Sequence, residues 1–237
     1  MPLYRLLGGY RNRIPTSATV GIMPVAETVE LARARARQGF RILKLKGGLD
    51  PEMDVRRVQA VHAALPGVTL RLDADGGYSI EQALDVARAL EGELEMLEQP
   101  TPAADLDGLR QVTRYSPIPV LADQSAAGAR AVLDVATRRA ASGVAIKLAT
   151  SGGLRSARQV EAIARAARLD TMVSCVIEPA LLIAAGLCLA LSSSNVRYGD
   201  LDGHPDLIGD PTVPGFRLEE GVLIATDVPG LGCSVEL

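Results

Sequence analysis

Tryptophan is absent from this 237-residue chain, and two phenylalanines and five tyrosines are its only other aromatics. A core must therefore be aliphatic, and at 48% hydrophobic residues there is ample Ala, Val, Leu and Ile to build one. Cysteines are few: Cys175, Cys188 and Cys233 are odd in number and widely spaced. They form no disulfide framework and no zinc spacing, which fits a reducing compartment. No excess of basic charge is present. The formal net charge is −3 with both signs interspersed, which argues against a nucleic-acid footprint. Long hydrophobic runs are missing too. The longest, residues 180–191, falls short of the roughly 20 residues a bilayer span needs, so it reads as a buried helix. The opening "MPLYRLLGGYRNR" has no apolar signal-peptide core. The expectation is a cytoplasmic protein without membrane partners. No GxGxxG follows the first strand-like run and no Walker A loop occurs, so an open nucleotide-binding sheet lacks its usual support.

What is present is alternation. Eight β-rich runs, at 18–22, 41–46, 69–74, 94–99, 119–124, 143–149, 171–177 and 195–201, are separated by Ala/Arg/Leu-rich segments of helical periodicity. Strict βα alternation implies parallel strands joined by crossover helices. Eight such strands at this length favour a closed α/β barrel, here a TIM-like (β/α)7β barrel. The expected layout is a short segment over 1–15, a barrel over 16–204 and a Pro/Gly-punctuated tail over 205–237 packing outside it.

The strand ends carry charge. Lys46, Asp73, Glu98, Asp123 and Lys147 close five consecutive strands at steps of 27, 25, 25 and 24 residues, and Asp200 closes the eighth. A lone Asp at a strand end often caps the next helix, and a lone Lys often snorkels to solvent. Five successive strands ending in ionisable groups ask for more, because desolvating unpaired charges costs several kcal/mol each. In a barrel these ends share the C-terminal mouth, where such folds build their sites. Strands three to five are neighbours, so Asp73, Glu98 and Asp123 converge. Hard oxygen ligands without His or Cys suit Mg²⁺. Strands two and six lie opposite one another, so Lys46 and Lys147 flank whatever the metal holds. Lys44 shares the face of Lys46. Adjacent cations and partial burial are expected to push the pKa of Lys46 down, making it a base tuned by Lys44. The chemistry that follows is proton abstraction beside a carboxylate, with Mg²⁺ stabilising the enediolate and a lysine on either face.

The motifs "KLK" (44–46), "LDAD" (72–75), "EQP" (98–100), "AD" (122–123) and "IKLATSGG" (146–153) run through the whole barrel in order. With them the chain resembles the enolase superfamily, in its muconate-lactonizing subgroup. The resemblance implies Asp73, Glu98 and Asp123 as metal ligands and Lys46 and Lys147 as the acid/base pair. The mandelate racemase subgroup uses a His base; here His62 lies mid-helix and His204 lies past the last strand, so that subgroup is disfavoured. Within the subgroup, "YGDLDG" (198–203) resembles the Asp-x-Asp signature of dipeptide epimerases. That implies Asp200 and Asp202 as holders of a substrate α-ammonium. "SCVIEPA" (174–180) resembles a pocket-lining segment, implying Cys175, Ile177 and Glu178 as substrate contacts. The implied activity is a Mg²⁺-dependent epimerase for Ala-Glu-like dipeptides. The alternatives are o-succinylbenzoate synthase, N-acylamino acid racemase or cycloisomerase on the same fold, or a catalytically silent barrel.

Two departures from the family pattern stand out. The family often has Asp-Glu-Ser where this chain has Asp123-Gln124-Ser125. The family also carries an N-terminal capping domain over the mouth, whereas this sequence opens on a segment resembling the connection from cap to barrel. The expectation is an exposed mouth with weakened electrostatics, impaired turnover and a tendency to form homo-oligomers.

Overall fold

The computed structural model describes residues 1–205 and 207–236; Asp206 and Leu237, both in the expected tail, lie outside the described residues. The chain opens with α1 (Leu3–Leu6) and β1 (Arg13–Pro15). It then alternates through β2 (Ala18–Val20), α2 (Val25–Arg37), β3 (Ile42–Lys46), α3 (Pro51–Ala64), β4 (Thr69–Asp73), α4 (Ile80–Ala89) and β5 (Leu94–Glu98). The second half runs α5 (Leu106–Tyr115), β6 (Val120–Ala122), α6 (Ala129–Arg138), β7 (Gly143–Lys147), α7 (Leu148–Ser151), α8 (Leu154–Ala166), β8 (Asp170–Ser174), α9 (Ala180–Ser192) and β9 (Val196–Asp200). Four short strands follow: β10 (Thr212–Val213), β11 (Phe216–Glu219), β12 (Val222–Ala225) and β13 (Ser234–Val235).

Strands β2 to β9 form one parallel sheet in sequence order, the barrel that the alternation predicts. Helix starts are written locally. Asp50 caps α3 through the Glu52 and Met53 N–H groups, with Pro51 in the first turn. Ser79 and Gln82 form a reciprocal capping box at α4.

Side chains alternate between two buried surfaces. Leu43, Leu45, Leu70, Leu72, Leu97, Val144, Ile146 and Val173 belong to the large cluster shared with the helices. Met96, Leu121, Ala145 and Met172, with Tyr198 against them, make a second, small cluster inside the barrel. The guanidinium of Arg71 lies in that interior, with Tyr198 5.2 Å away, an Nη1 bond to the Gly199 carbonyl at 3.0 Å and Glu95 at 2.7 Å. The interior thus changes from apolar to charged toward the C-terminal ends of the strands.

The barrel seam lies between β2 and β9. Ser17 N–H donates to the Gly199 carbonyl at 3.2 Å, and Leu201 N–H donates to Thr16 Oγ1 at 2.7 Å. Gly199 is required there, because a Cβ would sit 2.5 Å from the Pro15 carbonyl. The first and last parts of the chain meet on the outside: β1 pairs antiparallel with β12, which pairs with β11. Helix α9 is apolar nearly all round and almost wholly buried, because α1, β10 and β12 cover the faces that the barrel does not. No helix among the described residues is long and apolar enough to cross a membrane.

All eight barrel strands are shorter than the β-rich runs that announced them, and at three of them the early stop shapes the mouth. Asp123 leaves the extended conformation for a 3-10 turn over Gln124–Ala126, so β6 stops at Ala122. The run 143–149 stops at Lys147 because α7 begins at Leu148, with Gly152 in the left-handed region closing that turn. The run 171–177 ends at Ser174, which leaves Cys175, Ile177 and Glu178 on a loop. Each shortened end is a point where the chain turns a polar side chain toward the mouth.

The seam makes a stability prediction. Thr16→Val keeps the volume of the side chain but strands the buried Leu201 N–H. The change should cost about 1–3 kcal/mol in urea unfolding. Unchanged stability would mean that the contact does not close the barrel.

Candidate active site

The strand register sets the level of each charged side chain. Lys46 pairs with Asp73, and Asp73 with Glu98. On the far side Lys147 pairs with Ser174, and Ser174 with Asp200. Glu98 pairs with Leu121, so Asp123 stands two residues further along its own strand direction.

Lys44 occupies the centre of this ring of charges and is only 3% exposed. Its ammonium donates to Asp200 Oδ2 and lies 3.6 Å from Asp73 Oδ2 and 3.7 Å from Glu98 Oε2. Burial alone would lower its pKa, but Asp200, Glu98 and Asp73 outweigh that and hold it well above its ordinary value. Asp200 also accepts from Ser17 Oγ and Ser174 Oγ, both at 2.5 Å. Its oxygens are saturated inside the protein, and Lys44 holds its pKa well below the usual carboxylate range despite burial. The Asp200–Lys44 pair is thus satisfied without any ligand. Asp202 is partly open. Thr19 N–H donates to its Oδ2 at 2.6 Å, and its Oδ1 lies 4.0 Å from the Cys175 sulfur.

Lys46 and Lys147 sit nearer the surface, on opposite sides. Lys46 Nζ donates to Asp73 Oδ2 at 2.8 Å and Asp75 Oδ2 at 2.9 Å. Lys147 Nζ donates to Asp123 Oδ2 at 2.5 Å. The chain's own groups act on the Lys46 pKa in both directions. Burial and Lys44 do pull it down, but Asp73 and Asp75 push it up further, and the balance lies above the ordinary lysine value. Lys147 is raised likewise, with Asp123 and Glu98 outweighing its burial. Both ammonium groups are held charged by the carboxylates around them.

Glu98 is the exception among these groups. It is 1% exposed, and neither carboxylate oxygen has a hydrogen-bond partner. Burial, with Asp73 beside it, pushes its pKa to about 8. A buried carboxylate without donors is costly unless a cation neutralises it. Among the described residues, no three His, Cys, Asp or Glu side chains are already gathered as a metal shell. Asp73 and Asp123 turn oxygens to Lys46 and Lys147, while Glu98 turns its oxygens to no donor. The donor set fits a hard divalent cation in its chemistry: anionic oxygens, buried, one of them unpartnered.

Several side chains of this site went unread in the sequence. Gln99, with φ of +37°, is fully buried and ties the ends of β5 and β6 together. Its Oε1 accepts from Asp123 N–H at 2.9 Å and Ser125 N–H at 3.1 Å, and its Nε2 donates to Ser125 Oγ at 2.9 Å. Gln124 donates to Asp75 Oδ1 at 3.0 Å, so the amide that replaces the family's Glu braces the partner of Lys46. Gln99 lies in the "EQP" motif and Ser174 opens "SCVIEPA", but neither motif announces these bonds, and nothing marks Ser17. Glu178 is buried on the loop after β8, where burial lifts its pKa to about 7, and Ile177 beside it is 69% exposed at the rim.

The family model for the enolase C-terminal domain-like family matches residues 27–236. The chain belongs to that family. Among enolase-family relatives, an L-Lys-D/L-Arg epimerase of Methylococcus capsulatus is 40% identical over 98% of this chain. The chain spans only 66% of that relative's length. A substrate-liganded L-Ala-D/L-Glu epimerase structure from Bacillus subtilis superposes with a TM-score of 0.97 at 34% identity, covering 100% of this chain and 68% of that one. A Methylococcus capsulatus dipeptide epimerase structure, complexed with Mg and L-Arg-D-Lys, gives 0.93 at 38% identity, covering 99% of this chain and 67% of that one.

Glu98 supplies a pH prediction for the enolase-family barrel in chelator. Its pKa is raised on folding, so its contribution to stability is full below the unfolded carboxylate value near 4 and is lost as pH rises through about 8. Urea unfolding between pH 5 and 9 should show that loss in the wild type. In Glu98→Gln the loss should be reduced; equal slopes would contradict the assignment.

Proposed function

We propose that this barrel is the catalytic part of a Mg²⁺-dependent dipeptide epimerase, with Lys46 and Lys147 as its acid/base pair. The observation that carries the reading is the pair of lysines on opposite sides of a buried carboxylate that no hydrogen-bond donor serves. In this reading Asp73, Glu98 and Asp123 hold the metal. When bound, Mg²⁺ would stabilise the negative charge that a substrate carboxylate gathers as its α-proton leaves.

The chain's own residues do the rest. Asp73 and Asp123 keep Lys46 and Lys147 protonated, and either lysine would become a base once its carboxylate partner were engaged elsewhere, as in holding the metal. One lysine takes the α-proton from one face and the other returns a proton to the opposite face, inverting the centre. Lys44 stays charged between the strands, and Asp200 holds it there. Asp202, partly open on the β9 side, is the carboxylate available to a substrate α-ammonium. Cys175, Ile177 and Glu178 line the approach. The named relatives act on dipeptides as different as Lys-Arg and Ala-Glu, so dipeptide is the class proposed, with Ala-Glu and Lys-Arg as first probes.

The test is α-proton exchange in D₂O with Mg²⁺, followed by proton NMR on both dipeptides. Lys46→Ala and Lys147→Ala should each slow epimerisation by about 10²–10⁴-fold. Asp202→Asn should raise KM for free dipeptides. Insensitivity to Asp202→Asn would instead favour an N-acylated or non-amino substrate, and exchange that survives both lysine variants would refute the acid/base assignment.

A further inference from the structure

Three polar side chains lie buried behind the mouth: Asp54 at 2% exposure, Arg57 at 1% and Tyr78 at 1%. Helix α3 sets Asp54 and Arg57 one turn apart, so they pair on one face. Arg57 Nη2 donates to Asp54 Oδ1 and, at 2.8 Å, to the backbone carbonyl of Lys46. Its Nη1 reaches the Gly21 carbonyl, just past β2, at 3.5 Å. Asp54 Oδ2 accepts from Gly48 N–H at 2.7 Å and from the Tyr78 hydroxyl at 2.5 Å. Tyr78 N–H in turn donates to the Pro100 carbonyl, two residues past Glu98, at 3.0 Å. The cluster therefore grips the backbone at the Lys46 carbonyl and two residues on, at Gly48 N–H, and ties this strand end to the loops after β2, β4 and β5.

The grip has no slack. A Cβ on Gly47 would lie 2.7 Å from Asp54 Oδ2. One on Gly48, whose φ is +99°, would lie 2.0 Å from the Ala74 carbonyl, and one on Gly77 would lie 2.0 Å from the Gly48 carbonyl. Burial and Asp54 push the Tyr78 pKa far up, so its hydroxyl stays a donor. Lys147 is anchored otherwise. The chain passes straight into the short α7, and its carbonyl accepts from the exposed Thr150 hydroxyl at 3.3 Å. A buried ion pair is often no more stabilising than an apolar replacement. Stability therefore does not account for an ion pair whose bonds converge on one strand end.

We propose that Asp54, Arg57 and Tyr78 are positioning residues that aim Lys46, and not Lys147, at the substrate carbon. The inference rests on the acid/base reading of these lysines. A proton carrier must sit within hydrogen-bond reach of the carbon, and a misplacement of 1 Å can cost about 100-fold in rate. The two faces of the reaction should thus respond differently when the clamp is loosened.

The test measures exchange without inversion, in D₂O with Mg²⁺, for each epimer of the dipeptide separately. Lys46→Ala identifies the epimer that Lys46 serves. Arg57→Met should slow exchange of that epimer by about 100-fold, with Tyr78→Phe, the milder change, in the same direction. KM and exchange of the other epimer should stay within about 2-fold, and Arg57→Lys should recover part of the rate. Equal slowing of both epimers, or of neither, overturns the proposal. Wild-type protein that exchanges neither epimer refutes the acid/base reading instead. The clamp is then judged by backbone amide exchange read by mass spectrometry. Arg57→Met should lower protection at Gly47 and Gly48 by at least 10-fold relative to 148–151, and unchanged protection overturns it.

Discussion

A surplus of buried negative charge governs this barrel's mouth. Asp73, Glu98, Asp123 and Asp200 are all at most 6% exposed, and Lys44 is the one lysine buried as deeply among them. Lys44 and Asp200 satisfy one another, and Lys46 and Lys147 reach in from the rim to Asp73 and Asp123. Glu98 is left with no donor. The lysines hold the carboxylates, the carboxylates keep the lysines protonated, and the remaining charge calls for a cation from outside. Under the proposed function, that cation and the release of a lysine base are one event.

The scaffold exists to maintain this imbalance. Parallel strands bring the charged ends to one level through their register, and the outward leucines and valines lock each strand to its helices. Gln99 holds Asp123 and Ser125 against the end of β5 through its amide, which also donates to the Thr101 carbonyl. The remote ends of the chain close over α9 through β1 and β12 and so cover an otherwise apolar helix. Such preorganisation holds like charges close together, and the raised Glu98 pKa is the consequence.

Much of this was legible in the sequence because it is periodic. A charged residue closing five successive β-rich runs, at intervals of one βα unit, and another closing the last, announce a barrel with a polar mouth. The residues that recur are those the structure brings together. What was not legible depends on contacts between distant positions. Nothing in the sequence around Ser17 or Ser174 says that both hydroxyls end on Asp200. The pairing of β1 with β12 joins segments some 200 residues apart. The carboxylates that hold Lys46 charged were not all legible either: Asp75 reaches it from a backbone in the left-handed region at φ +46°. Nor does the sequence show that Asp200, expected with Asp202 to hold a substrate ammonium, also accepts from three internal donors.

The central claim is that Glu98 is unpartnered because a divalent cation belongs beside it. Calorimetric titration of the wild type and of Glu98→Gln with Mg²⁺ alone, near pH 8, tests it most directly. The account predicts one Mg²⁺ per chain in the wild type and a loss of affinity of at least about 100-fold in Glu98→Gln. Equal affinity in the two proteins, or no binding to the wild type, would contradict it.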